Sequence, residues 1–145
     1  MKNLLITIVL TILFGAVSPI ANAQNKYSVT VNIKNIKERK GKIYATLTAD
    51  ADNFPSVESK VGSAVAEVSA EGEVIVIFKD VPMGEYAIVL FQDLNDNHEL
   101  DMNGQMPAEP FGFSELTMLM GPPSFDACAF KVDADKTKEI SLISF

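Results

Sequence analysis

The sequence predicts an all-β domain, a seven-stranded antiparallel β-sandwich with Greek-key connections. Three observations carry that expectation. Behind the first 23 residues, apolar side chains recur at every second position rather than every third or fourth. The runs that do so are short, and Gly, Pro, Asn and Asp punctuate them at sandwich-like spacing. No stretch of that region carries the apolar stripe of a long amphipathic helix.

Taken in order, Val29, Val31 and Ile33 alternate with Ser28, Thr30 and Asn32, which predicts a half-buried strand over 27–34. Ile43, Ala45 and Leu47 alternate with Tyr44, Thr46 and Thr48 and predict a second over 42–49. The turn formers of Asp50-Ala51-Asp52-Asn53-Phe54-Pro55 follow as a loop. Residues 60–69 read two ways. Val61, Val65 and Val68 have helical spacing, whereas Ala64, Ala66 and Val68 suit a strand. The strand is preferred, because Glu71-Gly72 then turns tightly into Val74-Ile75-Val76-Ile77-Phe78. That continuous run predicts a central strand covered on both faces. Pro82 and Gly84 mark the next turn, and Tyr86 to Phe91 form a further strand. Tyr86 is placed to hydrogen-bond back across that turn, as tyrosines at sandwich corners do. Phe125 to Val132 and Thr137 to Ile143 complete the seven. Residues 94–124 hold Pro107, Pro110, Pro122 and Pro123 and need cover for Phe111, Phe113, Leu116, Met118 and Met120. A connection so long is expected to cap one end of the sandwich, to act as a binding lid, or to pack on a partner subunit.

The N-terminus predicts export. Lys2 supplies a positive start, Leu4 to Val17 an apolar run of about 14 residues, and Ala21-Asn22-Ala23 a cleavage site. The run is short of the ~20 residues that cross a bilayer, so stable membrane insertion is not expected. Cleavage near Ala23 divides the chain into a signal peptide, 1–23, and one domain, 24–145, destined for the periplasm or the extracellular space. It removes one lysine and no acid, so the formal charge of −7 becomes −8. So acidic a surface argues against nucleic acid and anionic membranes, and leaves a cation, a protein or a carbohydrate as partner. The sole cysteine, Cys128, cannot close an intramolecular disulfide and reads as a buried small hydrophobe.

One stretch can carry chemistry. From Asp93 to Asp101, oxygen-bearing side chains occupy alternate positions: Asp93, Asn95, Asn97, Glu99 and Asp101. Calcium takes six to eight hard oxygens, and a loop curled around the ion offers it every second side chain. In the register of such loops, Asp93, Asn95 and Asn97 stand at positions 1, 3 and 5. Glu99 gives its backbone carbonyl at 7, Asp101 stands at 9, and Leu100 is the apolar anchor. Two residues depart from the pattern: His98 takes the place of the turn glycine, and Gly104 that of the bidentate glutamate. Asp96, Glu109 or Glu115 would have to add a carboxylate. The competing reading is an acidic turn whose Asp and Asn side chains bond their own backbone.

Other chemistry finds little support. His98 is the only histidine, which excludes a zinc site built on several and leaves a mixed His98–carboxylate site as the minority reading. It falls in a metal or turn loop rather than beside a serine, which argues against a nucleophilic triad. There is no G-x-S-x-G elbow, P-loop or dinucleotide fingerprint. The acids of 93–101 could in principle serve a glycoside hydrolase.

The run Val81-Pro82-Met83-Gly84-Glu85-Tyr86-Ala87-Ile88, the loop Asp93 to Asp101, Pro107, Gly112-Phe113-Ser114 and Gly121-Pro122-Pro123-Ser124-Phe125 follow one another. In that order they resemble an uncharacterised domain family of exported bacterial proteins, over the chain from Val29 to its C-terminus. The resemblance implies a small exported β-sandwich of transthyretin-like or immunoglobulin-like kind, without an established activity. Gln92 and His98 depart from the histidine and glycine that the family often has there, and Phe111 from its tyrosine. The expectation is an exported, non-enzymatic binding or accessory module with a calcium loop at 93–101.

Overall fold

The computed structural model describes residues 25–56 and 60–145, so the expected signal peptide at 1–23 lies outside the described residues. The chain is nearly all β, with several antiparallel sheets. Strands β1 (Lys26–Lys34), β2 (Lys42–Thr48), β3 (Lys60–Glu67), β4 (Val74–Pro82) and β5 (Gly84–Asp93) come first. Three short strands follow: β6 (Met102–Asn103), β7 (Met106–Pro107) and β8 (Phe111–Phe113). One helical turn, α1 (Phe125–Cys128), precedes β9 (Phe130–Val132) and β10 (Lys136–Ser141). The order β10-β1-β4 makes one sheet. The order β3-β2-β5-β8 makes the other, with β9 also paired to β5, and β6 and β7 form a separate hairpin.

Period-two patterning explains the main core. Val29, Val31 and Ile33 of β1 face Ile43, Ala45 and Leu47 of β2 and Ile88 and Leu90 of β5 in a single buried cluster drawn from both sheets. Along β3 the half-buried positions are Gly62, Ala64 and Ala66, while Val61 and Val65 are exposed, so the alanine register decides the ambiguity of 60–69 in favour of a strand. Tyr86 closes its turn as expected: its hydroxyl donates to the Pro82 carbonyl oxygen at 3.0 Å.

Four expectations are corrected. The run Val74 to Phe78 is not covered on both faces. In the edge strand β4, Ile75 and Ile77 are 40% and 48% exposed. The two-faced strand is β5, whose Tyr86, Ile88 and Leu90 enter the main core while Ala87, Val89 and Phe91 join a second cluster behind the sheet. Second, the strands outnumber seven, and β1 pairs with β10 in parallel. Strand direction leaves no trace in an alternating pattern, which reads the same both ways. Third, 125–132 is not one strand. Ser124 accepts the Ala127 N–H and caps α1, whose Phe125 and Cys128 are buried three positions apart. Fourth, the 94–124 connection does not cap an end. It supplies β8 to the five-stranded sheet beside β5, and its Phe111 and Phe113 join Phe125 and Cys128 in the second cluster. Phe111 and Phe113 are thus spent within their own chain, whereas Met118 and Met120 are 64% and 90% exposed.

Ser114 explains how β5 changes partners. It pairs with β9 over Gly84–Tyr86 and with β8 over Val89–Phe91. In the gap, the Ile88 N–H donates to Ser114 Oγ at 2.8 Å, and the Ser114 N–H donates to the Ile88 carbonyl at 3.0 Å. The same hydroxyl donates to the Cys128 carbonyl oxygen at 2.6 Å. Ser114→Ala therefore leaves a buried N–H and a buried carbonyl unmatched, and is expected to cost about 2–3 kcal/mol in denaturant unfolding. Accelerated exchange of the Ile88 amide should accompany the loss, and an unchanged amide would contradict this role.

Candidate acidic loop site

β5 ends on Asp93, and the loop beyond it is organised by that side chain. Asp93 is 1% exposed. Its Oδ1 accepts from the N–H groups of Asn95 at 3.2 Å and Asp96 at 2.7 Å, and its Oδ2 from that of His98 at 2.9 Å. Burial pushes this carboxyl up, but the backbone N–H groups of His98, Asp96, Asn95 and Asn97 outweigh it and hold the group below its ordinary range. Asp93 is therefore a carboxylate at neutral pH.

The motif then repeats at every second residue. Asn95 Oδ1 accepts from the Asn97 N–H at 3.1 Å, and Asn97 Oδ1 from the Glu99 N–H at 2.9 Å. Both amides turn their nitrogen toward Asp101, which accepts from Asn95 Nδ2 at 2.6 Å and Asn97 Nδ2 at 2.9 Å. Asp93, Asn95, Asn97 and Asp101 are thus gathered by one network, and Glu99 enters it through its backbone. The winding needs left-handed backbone at Asp96 (φ 62°) and at His98 (φ 67°). His98 adopts the conformation that a glycine would take at this position, and its ring lies 5.6 Å from that of Tyr44 on β2.

Of the three further acids considered, each has a different place. Glu109 is 5% exposed and reaches the loop from the other side, accepting from the Leu94 N–H at 2.7 Å and the Asp101 N–H at 3.3 Å. Asp96 pairs with Lys42 on β2 at 2.6 Å, a contact that lowers the carboxyl and raises the lysine. Glu115 lies elsewhere, paired with Lys138. Among the described residues, Asp93, Asp96 and His98 offer ligand atoms within 4.8 Å of one another. That group shares only Asp93 with the ligand set read from the sequence. Glu109 carried one signal: a lone acid amid Met106, Pro107, Pro110 and Phe111.

Cys128 is buried in the second cluster and is a free thiol. Burial, with the nearby charge of Glu115, pushes it up to about 11, so it stays protonated at neutral pH. No helix among the described residues is long and apolar enough to cross a membrane.

One family model matches the chain. It is described as an uncharacterized protein conserved in bacteria (DUF2141), and it matches residues 31–141. The chain belongs to that family. The matched region of this DUF2141 member runs from within β1 to the end of β10 and includes the whole acidic loop. No curated protein and no solved structure matches the chain.

Proposed function

We propose that this DUF2141 protein is an exported, non-enzymatic binding or accessory module of the Greek-key, transthyretin-like or immunoglobulin-like sandwich kind. It acts in the periplasm or outside the cell on a protein or carbohydrate partner, and its 93–101 loop takes a calcium ion. The observation that carries the metal reading is the convergence of Asn95 and Asn97 on the Asp101 carboxylate. The side-chain turns at Asp93, Asn95 and Asn97 are what the competing acidic turn also expects. Two amide N–H groups now face the Asp101 carboxylate. Turning each amide over would present two oxygens beside it, the ligand chemistry calcium takes, in exchange for the bonds those oxygens accept from the Asn97 and Glu99 N–H groups. With so few formal carboxylates, the affinity falls in the range of extracellular modules, about 10⁻⁴–10⁻³ M.

The hydrolase reading is less well supported. A general acid needs a raised pKa, whereas Asp93 and Asp96 are both held below their ordinary range. Asp93 and Glu109 also spend their oxygens on loop N–H groups.

Calorimetric titration of residues 24–145 with calcium tests the metal. Saturating heat at millimolar calcium is expected, with about 1.4 kcal/mol of added stability at ten times Kd. Asp101→Ala should abolish both. No heat and no melting shift at millimolar calcium in the native sequence would sink the reading.

A further inference from the structure

Beside the loop, the outer face of the five-stranded sheet is incompletely covered. A cleft of about 580 Å³ lies between β5 and β8 on one side and the β6–β7 hairpin and residues 119–123 on the other. Phe91, Phe111 and Phe113 contribute aromatic rings to it. Met102 and Met106 of the hairpin, with Leu119 and Pro122, complete the lining. Among its lining side chains only Gln105 is polar, and none is charged.

The lining carries none of the acids that give the chain its net charge of −7. It also leaves large apolar side chains in water at the mouth: Met102 is 54% exposed, Met106 44% and Phe145 74%. The volume is that of a site for one small organic molecule, and the lining offers such a molecule aromatic faces and flexible thioethers. It offers an ion no counter-charge. A charged ligand would lose its hydration with no opposite charge to meet, and an anion would also face the field of an acidic protein. A single amide, Gln105, can match one polar group.

We propose that this cleft is a binding site for a neutral, apolar small molecule built on aromatic or fused rings. The hairpin is its adjustable wall. It pairs only with itself, and is tied to the loop through the Ala108 N–H, which donates to the Asp101 carbonyl at 2.8 Å. Binding covers Met102, Met106 and Phe145, which is the source of the affinity.

The test uses residues 24–145, which contain every described strand and both buried clusters, with the neutral fluorophore N-phenyl-1-naphthylamine as probe. A chelator is present, so the outcome is independent of calcium. Fluorescence should rise and saturate at one probe per chain. Met106→Glu places a charge at the mouth on an exposed side chain and should weaken binding about tenfold or more. Met102→Glu is the second variant should the first fold poorly. Met120→Glu, equally charged but outside the lining, should leave affinity unchanged. A linear, unsaturable rise overturns the proposal. So does equal binding by Met106→Glu and Met120→Glu, and so does light scattering that shows a second copy of the chain displaced by the probe.

Discussion

Asp93→Ala is expected to be among the most damaging single changes in the protein, lowering stability at pH 7 by about 3–4 kcal/mol. The substitution removes the acceptor for the N–H groups of Asn95, Asp96 and His98 at once. Each bond to a charged acceptor contributes about 1.5–3 kcal/mol, and the three are not additive because they share one group. The carboxylate is covered by its own loop, whose outer residues are solvated, so the total falls well short of three full contributions. Thermal melting should register the loss as a drop of about 10 °C or more. Two residues in left-handed backbone, Asp96 and His98, lose the contacts that hold them there. A loss below about 1 kcal/mol would mean that the loop organises itself without Asp93.

The same carboxylate sets a pH dependence whose sign is fixed. Its folded pKa lies below its ordinary value of 3.8. The stability it supplies is therefore complete above the unfolded value, near 3.9, and is lost as pH falls through the lower, folded one. Asp93→Asn keeps the shape, and presents an amide N–H₂ where one oxygen stood. Its stability should start lower at neutral pH and decline less steeply below about pH 4 than that of the native chain.

The residues that shape the loop were legible because turn chemistry is local. Alternate Asp and Asn side chains favour bonds to the backbone two residues on, so the network from Asp93 to Glu99 was legible as the acidic turn that competed with a calcium loop. The strands from 27 to 91 were legible for a similar reason, since both period two and a continuous β-branched run need only neighbours. What the sequence withheld was long-range. Nothing in Val74 to Phe78 says that β4 lies at an edge, because β-branched residues suit central and edge strands alike. Nothing in Phe125 to Cys128 separates one capped helical turn from the start of a strand. Phe111 and Phe113 read as spare apolar surface until β8 docks on β5, pairing Phe91 with Phe111 and Val89 with Phe113 across the intervening loop. Ser114 and Glu109 are the clearest cases. Each serves backbone groups distant in sequence, Ile88 and Cys128 for one and Leu94 and Asp101 for the other, and neither partner leaves a mark beside it.

Gly41 belongs with these, and its replacement by alanine is expected to exceed even the loss of Asp93. Between Lys40 and Lys42 it reads as an ordinary turn residue. In the fold it has φ +73°, and a Cβ there would stand 2.0 Å from the Asp93 carbonyl oxygen and 3.0 Å from its carbonyl carbon. The obstacle is backbone at the end of β5, which no rotamer change can clear. Its carbonyl also accepts the Val68 N–H at 2.9 Å, so the turn cannot swing away freely. Gly104 separates the two costs. It has nearly the same backbone, φ +66°, with nothing within 4 Å of a new Cβ. Gly104→Ala should therefore show conformational strain alone, about 1–2 kcal/mol, whereas Gly41→Ala adds displacement of Asp93 and should exceed about 4 kcal/mol in urea unfolding. Because Asp93 begins the acidic loop, Gly41→Ala should also disturb the amide signals of Asn95, Asp96 and His98, which Gly104→Ala leaves in place. Equal costs for the two glycines would show that the end of β5 yields easily, and that the loop is not anchored through Gly41.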